Sequence, residues 1–193
     1  ELDLLSAQEL VELTPSSRFS GKRELKFRQA IVRDAAYEML TDRDRSSGHR
    51  LAAEWLEHAG ERDAMALGEH LERGGAQQKA ARFWFQAAER ALDAHDFTMA
   101  LRLVDRARAG VTQGAASLGE LALVEGEALR WKGDMSGAER CASEALAALV
   151  PGTVLWFVAA HALAALAGIA GDFRAAVVLR DRLFAITCDE GAA

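Results

Sequence analysis

Residues 95–100 read His-Asp-Phe-Thr-Met-Ala, and related stretches follow at residues 133–138 (Gly-Asp-Met-Ser-Gly-Ala) and 171–176 (Gly-Asp-Phe-Arg-Ala-Ala). Each stretch begins 38 residues after the one before it. A fixed step, with small residues at a fixed phase, is typical of repeat proteins. The pattern therefore predicts repeating units, each a pair of helices joined at this stretch.

The residue types predict how each unit is built. The first residue of the stretch ends one helix in a left-handed backbone conformation, and the Asp caps the next helix by accepting its free backbone N–H groups. The apolar residue after the Asp is expected to fill the gap between the helices. The small residue ending this pattern is expected to face another small residue twelve positions earlier, which allows close helix packing. The repeat positions are Ala88, Asp96, Phe97 and Ala100 in the first unit, Gly126, Gly133, Asp134, Met135 and Ala138 in the second, and Ala164, Gly171, Asp172, Phe173 and Ala176 in the third.

Composition and periodicity predict a mostly helical chain. Half of the 193 residues are apolar and only two are Pro, which favours helix. Residues 154–170 carry no Asp, Glu, Lys or Arg, but a membrane-spanning helix needs about 20 apolar residues. We therefore expect this helix to be buried on two sides within the array. Apolar spacing predicts six helices in the C-terminal part, near residues 76–94, 97–109, 116–132, 135–149, 153–170 and 173–187.

The repeat positions resemble the tetratricopeptide repeat, which places a small residue, a Gly, an aromatic residue and an Ala at the same phase. The step is 38 residues instead of the 34 of that family, and the family's Pro near the end of each unit is absent or shifted. The resemblance covers about residues 80–190. It implies an all-α fold, a right-handed α-α superhelix of such hairpins, and it does not identify a ligand.

The N-terminal part follows a different pattern. Two short alternating runs, at residues 10–14 and 24–28, flank a loop that contains Gly, Pro and Ser, which predicts a β-hairpin. Helices are predicted to begin near residue 29 and to cover about 42–59 and 62–73. The predicted organisation is thus a hairpin region at 1–28, linking helices at 29–75 and helical repeats at 76–193.

Residues 27–37, Phe-Arg-Gln-Ala-Ile-Val-Arg-Asp-Ala-Ala-Tyr, resemble a junction in bacterial STAND-type signalling ATPases. There, Phe-x-His-x-Leu-x-Arg-Asp-x-x-Tyr leads from the wing of a winged-helix domain into a tetratricopeptide-like array. Residues 49–52, 69–70 and 87–91 match the usual continuation, while Gln29 stands where the family usually has His. The resemblance implies the C-terminal region of such a protein, as found in LuxR-type regulators, adenylate cyclases and serine/threonine protein kinases with an ATPase region.

The sequence lacks the motifs of the enzymes that this resemblance brings to mind. It has no Gly-x-x-x-x-Gly-Lys-Ser/Thr loop, no kinase Gly-rich loop and no Asp-Phe-Gly triplet. We expect no catalytic, metal-binding or cofactor-binding residues here, and ATP only in an upstream domain. The chain begins at Glu1 without a Met or a signal peptide, so we expect a piece of a longer, cytoplasmic protein. The expected function is a regulatory module that binds a protein, a peptide or an effector on the concave face of the array.

Charge and apolar surface suggest two other kinds of contact, one with DNA and one with a second copy of the chain. The wing carries Arg18, Lys22 and Arg23, which could contact phosphate in a DNA-binding fragment of a transcription regulator. A net charge of −6 does not favour nucleic acid, and contact with other domains of the parent chain is preferred. Because solenoids need a polar end, we expect further repeats or self-association through the C-terminal helix pair.

Other residues of types that often occur in catalytic or binding sites are interpreted as parts of the fold. His161 lies in an apolar helix and is expected to be a hydrogen-bonded core residue, while Cys141 is expected to be a small buried apolar residue. Glu125 and Glu127 cannot share one helix face at this spacing. Residues 83–85, Phe-Trp-Phe, are interpreted as core, with at least one ring exposed or reaching another repeat, and the alternative is an aromatic binding platform.

Overall fold

The computed structural model describes residues 2–111 and 115–189, and it is mostly helical with one small antiparallel sheet. Residues 112–114 and 190–193 of the predicted repeat region lie outside the described residues. The chain divides into two compact units, Glu1–Ala76 and Gln77–Ala193. The elements are α1 (Leu2–Ala7), β1 (Val11–Leu13), β2 (Leu25–Phe27), α2 (Ala30–Glu38), α3 (Asp42–His58), α4 (Ala64–Arg73), α5 (Gln77–Asp93), α6 (Phe97–Gly110), α7 (Ala115–Trp131), α8 (Met135–Ala148), α9 (Val154–Ala170) and α10 (Phe173–Asp189).

The first unit contains the predicted β-hairpin. Strands β1 and β2 pair antiparallel, with Val11 opposite Phe27 and Leu13 opposite Leu25. Alternation places Val11 in the core of this unit, where it is buried. Helices α3 and α4 pack against each other. The predicted mostly helical chain with a small N-terminal hairpin is therefore confirmed.

In the second unit, helices that follow one another along the chain pack side by side. Helix α5 packs on α6, α7 on α8 and α9 on α10, and the pairs are joined through α6–α7 and α8–α9 contacts. Helices α5 and α7, the first helices of two successive pairs, also touch. The bounds of all six helices agree with the predicted ranges to within one or two residues.

The turns inside the pairs have the predicted local chemistry. His95, Gly133 and Gly171 have positive φ angles of 61°, 85° and 75°, so each takes the left-handed conformation that ends a helix. The carboxylate of Asp96 accepts from the Met99 N–H at 3.0 Å, and that of Asp134 caps α8 in the same way. Short-range sequence signals therefore account for where α6 and α8 begin.

Small residues bring the paired helices close together. Ala88 on α5 and Ala100 on α6 are both completely buried. Near the other end of this pair, a Cβ on Gly110 would collide with the backbone carbonyl of Gln77. Between α7 and α8, a Cβ on Gly126 would lie 3.0 Å from the Cβ of Cys141. These approaches leave no room for larger side chains along the helix contacts.

Three predictions about apolar residues are wrong. Phe173 is 73% exposed and Met135 is 42% exposed, so neither fills the gap between its helices. Helix α9 is not buried on two sides, because Val154 and Ile169 are 79% and 68% exposed. None of the helices in residues 2–111 and 115–189 is long and apolar enough to cross a membrane.

Candidate functional site

The second unit contains a cleft of about 420 Å³, here named the central groove, with walls from α5, α7, α8 and α9. Residues at helical spacing on α5, α7 and α9, together with two alanines of α8, form it, and most of its surface is apolar. Its apolar lining includes Phe85, Leu92, Leu123, Leu155, Val158 and Leu166.

Small side chains give the groove its depth. Gly126 on α7, Ala138 and Ala142 on α8 and Ala162 on α9 line it. These residues carry at most one side-chain carbon, so their side chains do not fill the cleft and it stays open to an occupant. Two of the predicted repeat positions, Gly126 and Ala138, are thus part of the candidate site.

Carboxylates from two helices border the apolar lining. Glu89 of α5 and Glu120 and Glu127 of α7 all line the groove. Partial burial, together with the negative charges of Asp93 and Glu120, raises the pKa of Glu89 above its usual value. Negative charge therefore accumulates between α5 and α7.

Glu127 differs from the other two carboxylates because its charge is compensated. It accepts hydrogen bonds from Arg130 at 2.6 Å and from the indole N–H of Trp131 at 2.8 Å. The hydrogen bond from Arg130 is the main reason that the pKa of Glu127 is lowered. Among the described residues, the groove lining thus has one carboxylate that is hydrogen-bonded to a cation, Glu127, and two further carboxylates, Glu89 and Glu120.

A second set of charges ties three helices together outside the groove lining. Arg108 of α6 donates to Glu125 of α7 at 2.7 Å and to Glu144 of α8 at 2.8 Å. Hydrogen bonding to Glu144 and Glu125 raises the pKa of this arginine. Glu125 and Glu127 therefore act on different faces of α7, as their spacing predicts.

The small repeat positions differ in how deeply they are buried. Ala88, Ala100 and Ala138 are at most 2% exposed, whereas Ala164 and Ala176 are only half-buried. The close packing expected at the small residues is therefore strongest in the first two pairs. Phe97 is half-buried and stacks on Trp131, with ring centroids 5.8 Å apart.

The outcomes for the other sequence candidates are mixed. Cys141 is buried as predicted, and desolvation raises the pKa of its thiol to about 11, which makes it a poor nucleophile. His161 is exposed, so the prediction of a core histidine is wrong. In the aromatic triplet, Trp84 is buried under the guanidinium of Arg106, while Phe85 reaches the central groove.

The basic wing is partly engaged within its own unit. The guanidinium of Arg18 lies 3.4 Å from Glu61 and 3.7 Å from Glu24, and the neighbouring Phe19 packs edge-on against a tryptophan of α3. Lys22 and Arg23 are exposed. The structure therefore separates Arg18, which lies beside two carboxylates of its own unit, from the other two predicted contact residues.

Three residues quoted for the STAND resemblance meet in the first unit. The hydroxyl of Tyr37 lies 2.9 Å from Nε2 of His49, and Nδ1 of His49 lies 3.0 Å from Nδ1 of His70. Burial is the main cause of the lowered pKa of both histidines, and Arg73 lowers both further. Since an Nδ1–Nδ1 hydrogen bond holds one proton, the two rings cannot both be imidazolium in this geometry.

Sequence reasoning missed the groove carboxylates, although the repeat contains their signal. Glu89 and Glu127 are 38 residues apart, as are Phe85 and Leu123. Equivalent positions in successive repeats therefore line one cleft. In residues 2–111 and 115–189, no group of three or more His, Cys, Asp or Glu side chains could hold a metal ion.

Comparisons with protein families, with curated proteins and with solved structures found no match to this chain. Function is therefore inferred from the central groove and from the sequence resemblance.

Proposed function

We propose that this chain is a non-catalytic interaction module of a bacterial ATP-dependent signalling protein, and that its central groove binds a segment of a protein. The observation that carries this proposal is the apolar cleft of about 420 Å³ along α5, α7 and α9. Exposed apolar surface that is concave and bordered by polar groups is typical of binding sites.

The finer fold proposal is a right-handed α-α superhelix of tetratricopeptide-like hairpins. The 38-residue step, the left-handed helix ends and the contact of α5 with α7 support it. In such an array, the first helices of successive pairs line one face, and the groove lies on these helices. The proposed role for the groove agrees with this arrangement.

The STAND-type parent is proposed from the sequence resemblance. It gains support from the first unit, where Tyr37, His49 and His70 form one hydrogen-bonded chain across α2, α3 and α4. In this proposal ATP binds in another domain of a cytoplasmic parent, and the chain described here supplies no catalytic residue. Occupation of the groove would shift the populations of the parent's conformations.

A groove-filling substitution tests the binding role. A library of random peptides displayed on phage is selected against the full chain, and enriched peptides are measured against Ala162→Phe and Ala165→Phe. Ala162 lines the groove, while Ala165 is exposed on the same helix. We expect enriched peptides to bind the wild type and the Ala165 variant but not the Ala162 variant. No enrichment, or equal binding to folded forms of both variants, would contradict the proposal.

The alternative function, DNA contact through the wing, has weaker support. Besides Arg18, Lys26 is paired with Glu12 at 3.0 Å and Arg28 with Glu9 at 3.0 Å. Lys22 and Arg23 remain as exposed cations of the loop. Steeply salt-dependent DNA binding that is lost on charge reversal of these two residues would favour the alternative.

A further inference from the structure

The charge of the central groove restricts what can occupy it. Glu89 of α5 and Glu120 of α7 both line the groove where these helices are in contact, and burial, together with the charges of Asp93 and Glu120, raises the pKa of Glu89. Arg130, which also lines the groove, is hydrogen-bonded to Glu127 at 2.6 Å. Among the residues that the structure describes, the groove lining contains three carboxylates and one guanidinium, so an approaching segment meets net negative charge there.

The apolar lining sets the second requirement. Leu123 of α7 and Val158 and Leu166 of α9 offer aliphatic surface inside the cleft. Covering such surface removes it from water and therefore favours binding. An occupant with only polar side chains would forgo this contribution, and one with acidic side chains would add to the repulsion between Glu89 and Glu120.

We infer that the groove takes a basic amphipathic segment of a partner protein, with large aliphatic or aromatic side chains on Leu123 and Val158 and a Lys or Arg between Glu89 and Glu120. This inference rests on the proposed binding function and adds the chemistry of the partner. A cation at that place relieves the repulsion between the two carboxylates. The aliphatic stem of Lys or Arg packs on the apolar lining below them.

The peptide selection described above tests the inference through the composition of the enriched sequences. We expect Lys or Arg beside large apolar residues to dominate them. The enriched peptides are then synthesised with each Lys or Arg replaced by Gln. Exposed ion pairs contribute about 0.2–1 kcal/mol, so each replacement should weaken binding roughly 1.4- to fivefold. The difference in binding affinity between the basic peptide and its Gln-substituted form should shrink in about 1 M salt, where charges are screened beyond about 3 Å.

A matched pair of protein variants locates the effect. Glu120→Gln should weaken the binding of the basic peptide more than the binding of its Gln-substituted form. The control is Glu139→Gln, which alters an exposed residue of α8 outside the groove and should change the binding of neither peptide. Enriched peptides that are neutral or acidic, or that lose nothing on Lys-to-Gln replacement, would overturn the inference. If such peptides bind the wild type but not the Ala162→Phe variant, the groove is still the binding site and the proposed function stands. A selection without enriched peptides would overturn both.

Discussion

Replacing Ala100 by Leu should destabilise the second unit, because Ala100 is fully buried on the helix that packs against α5. Ala100 is 0% exposed, and so is Ala88 of α5, its predicted partner. In open apolar space, three added carbon atoms would contribute about 2.4 kcal/mol at about 0.8 kcal/mol each. Here they can enter only by pushing the helices apart, and such overpacking gives a net loss of about 1–3 kcal/mol.

The assay is urea denaturation followed by far-ultraviolet circular dichroism, with thermal denaturation as a second measurement. For a chain of this size, the expected loss lowers the melting temperature by roughly 2–12 °C. The matched control is Ala109→Leu, since Ala109 is exposed on the same helix and surface changes usually stay within about 0.5 kcal/mol. Equal unfolding free energies for the two variants would refute the close packing inferred for α5 and α6.

Three further predictions concern protons, charges and a helix cap. The free energy of unfolding should fall as the pH drops from about 7 to about 5.5, because the pKa values of His49 and His70 are lowered in the folded chain and the unfolded chain takes up protons near pH 6.5. Replacing both by Gln should flatten this dependence in urea titrations, and an unchanged slope would exclude them as its source. Arg108→Met removes the hydrogen bonds that link α6 to α7 and α8 and should lower the free energy of unfolding, measured by urea denaturation, by about 1–2 kcal/mol. An unchanged free energy of unfolding would mean that these hydrogen bonds do not stabilise the fold. Asp134→Ala should lower the free energy of unfolding by about 1 kcal/mol, because α8 loses its N-terminal cap. Asp134→Asn can still cap the helix and should have a melting temperature close to that of the wild type. Equal melting temperatures for the two variants would contradict the capping role of Asp134.

Much of the helix arrangement can be predicted from the sequence because its signals are local. The left-handed turn at Gly133 and the cap at Asp134 depend on residues within one turn of the chain. The hairpin of β1 and β2 likewise follows from alternation on both sides of a short loop. Such features require no knowledge of the rest of the fold.

The errors come from residues whose surroundings are set by distant packing. Helix α9 is apolar on all sides, so periodicity cannot tell that Trp156 is buried while Val154 is exposed. For the same reason, the exposure of His161 was not predictable from its apolar neighbours. Phe173 matches Phe97 in sequence phase but is 73% exposed, whereas Phe97 is half-buried and stacks on the ring of Trp131, a contact that sequence phase does not reveal.

The candidate site was only partly accessible from the sequence. Gly126 and Ala138 were selected as small repeat positions, but their sequence pattern could not show that they also line a cleft. Glu89 and Glu120 acquire their significance from the packing of α5 on α7, which no short motif encodes. The 38-residue step relates Phe85 to Leu123 and Glu89 to Glu127, so these lining residues could be read from the sequence, whereas Glu120 follows Arg82 at that step and could not.

The most direct test of the account is methyl NMR of the full chain during titration with a basic peptide from the selection. We predict that the methyl signals of Leu123, Leu155 and Leu166, which line the groove, shift as the peptide binds, while those of Leu67 and Leu71 in the first unit stay in place. Shifts confined to the first unit, or absent from the three groove leucines at saturation, would contradict the central claim that this cleft is the binding site.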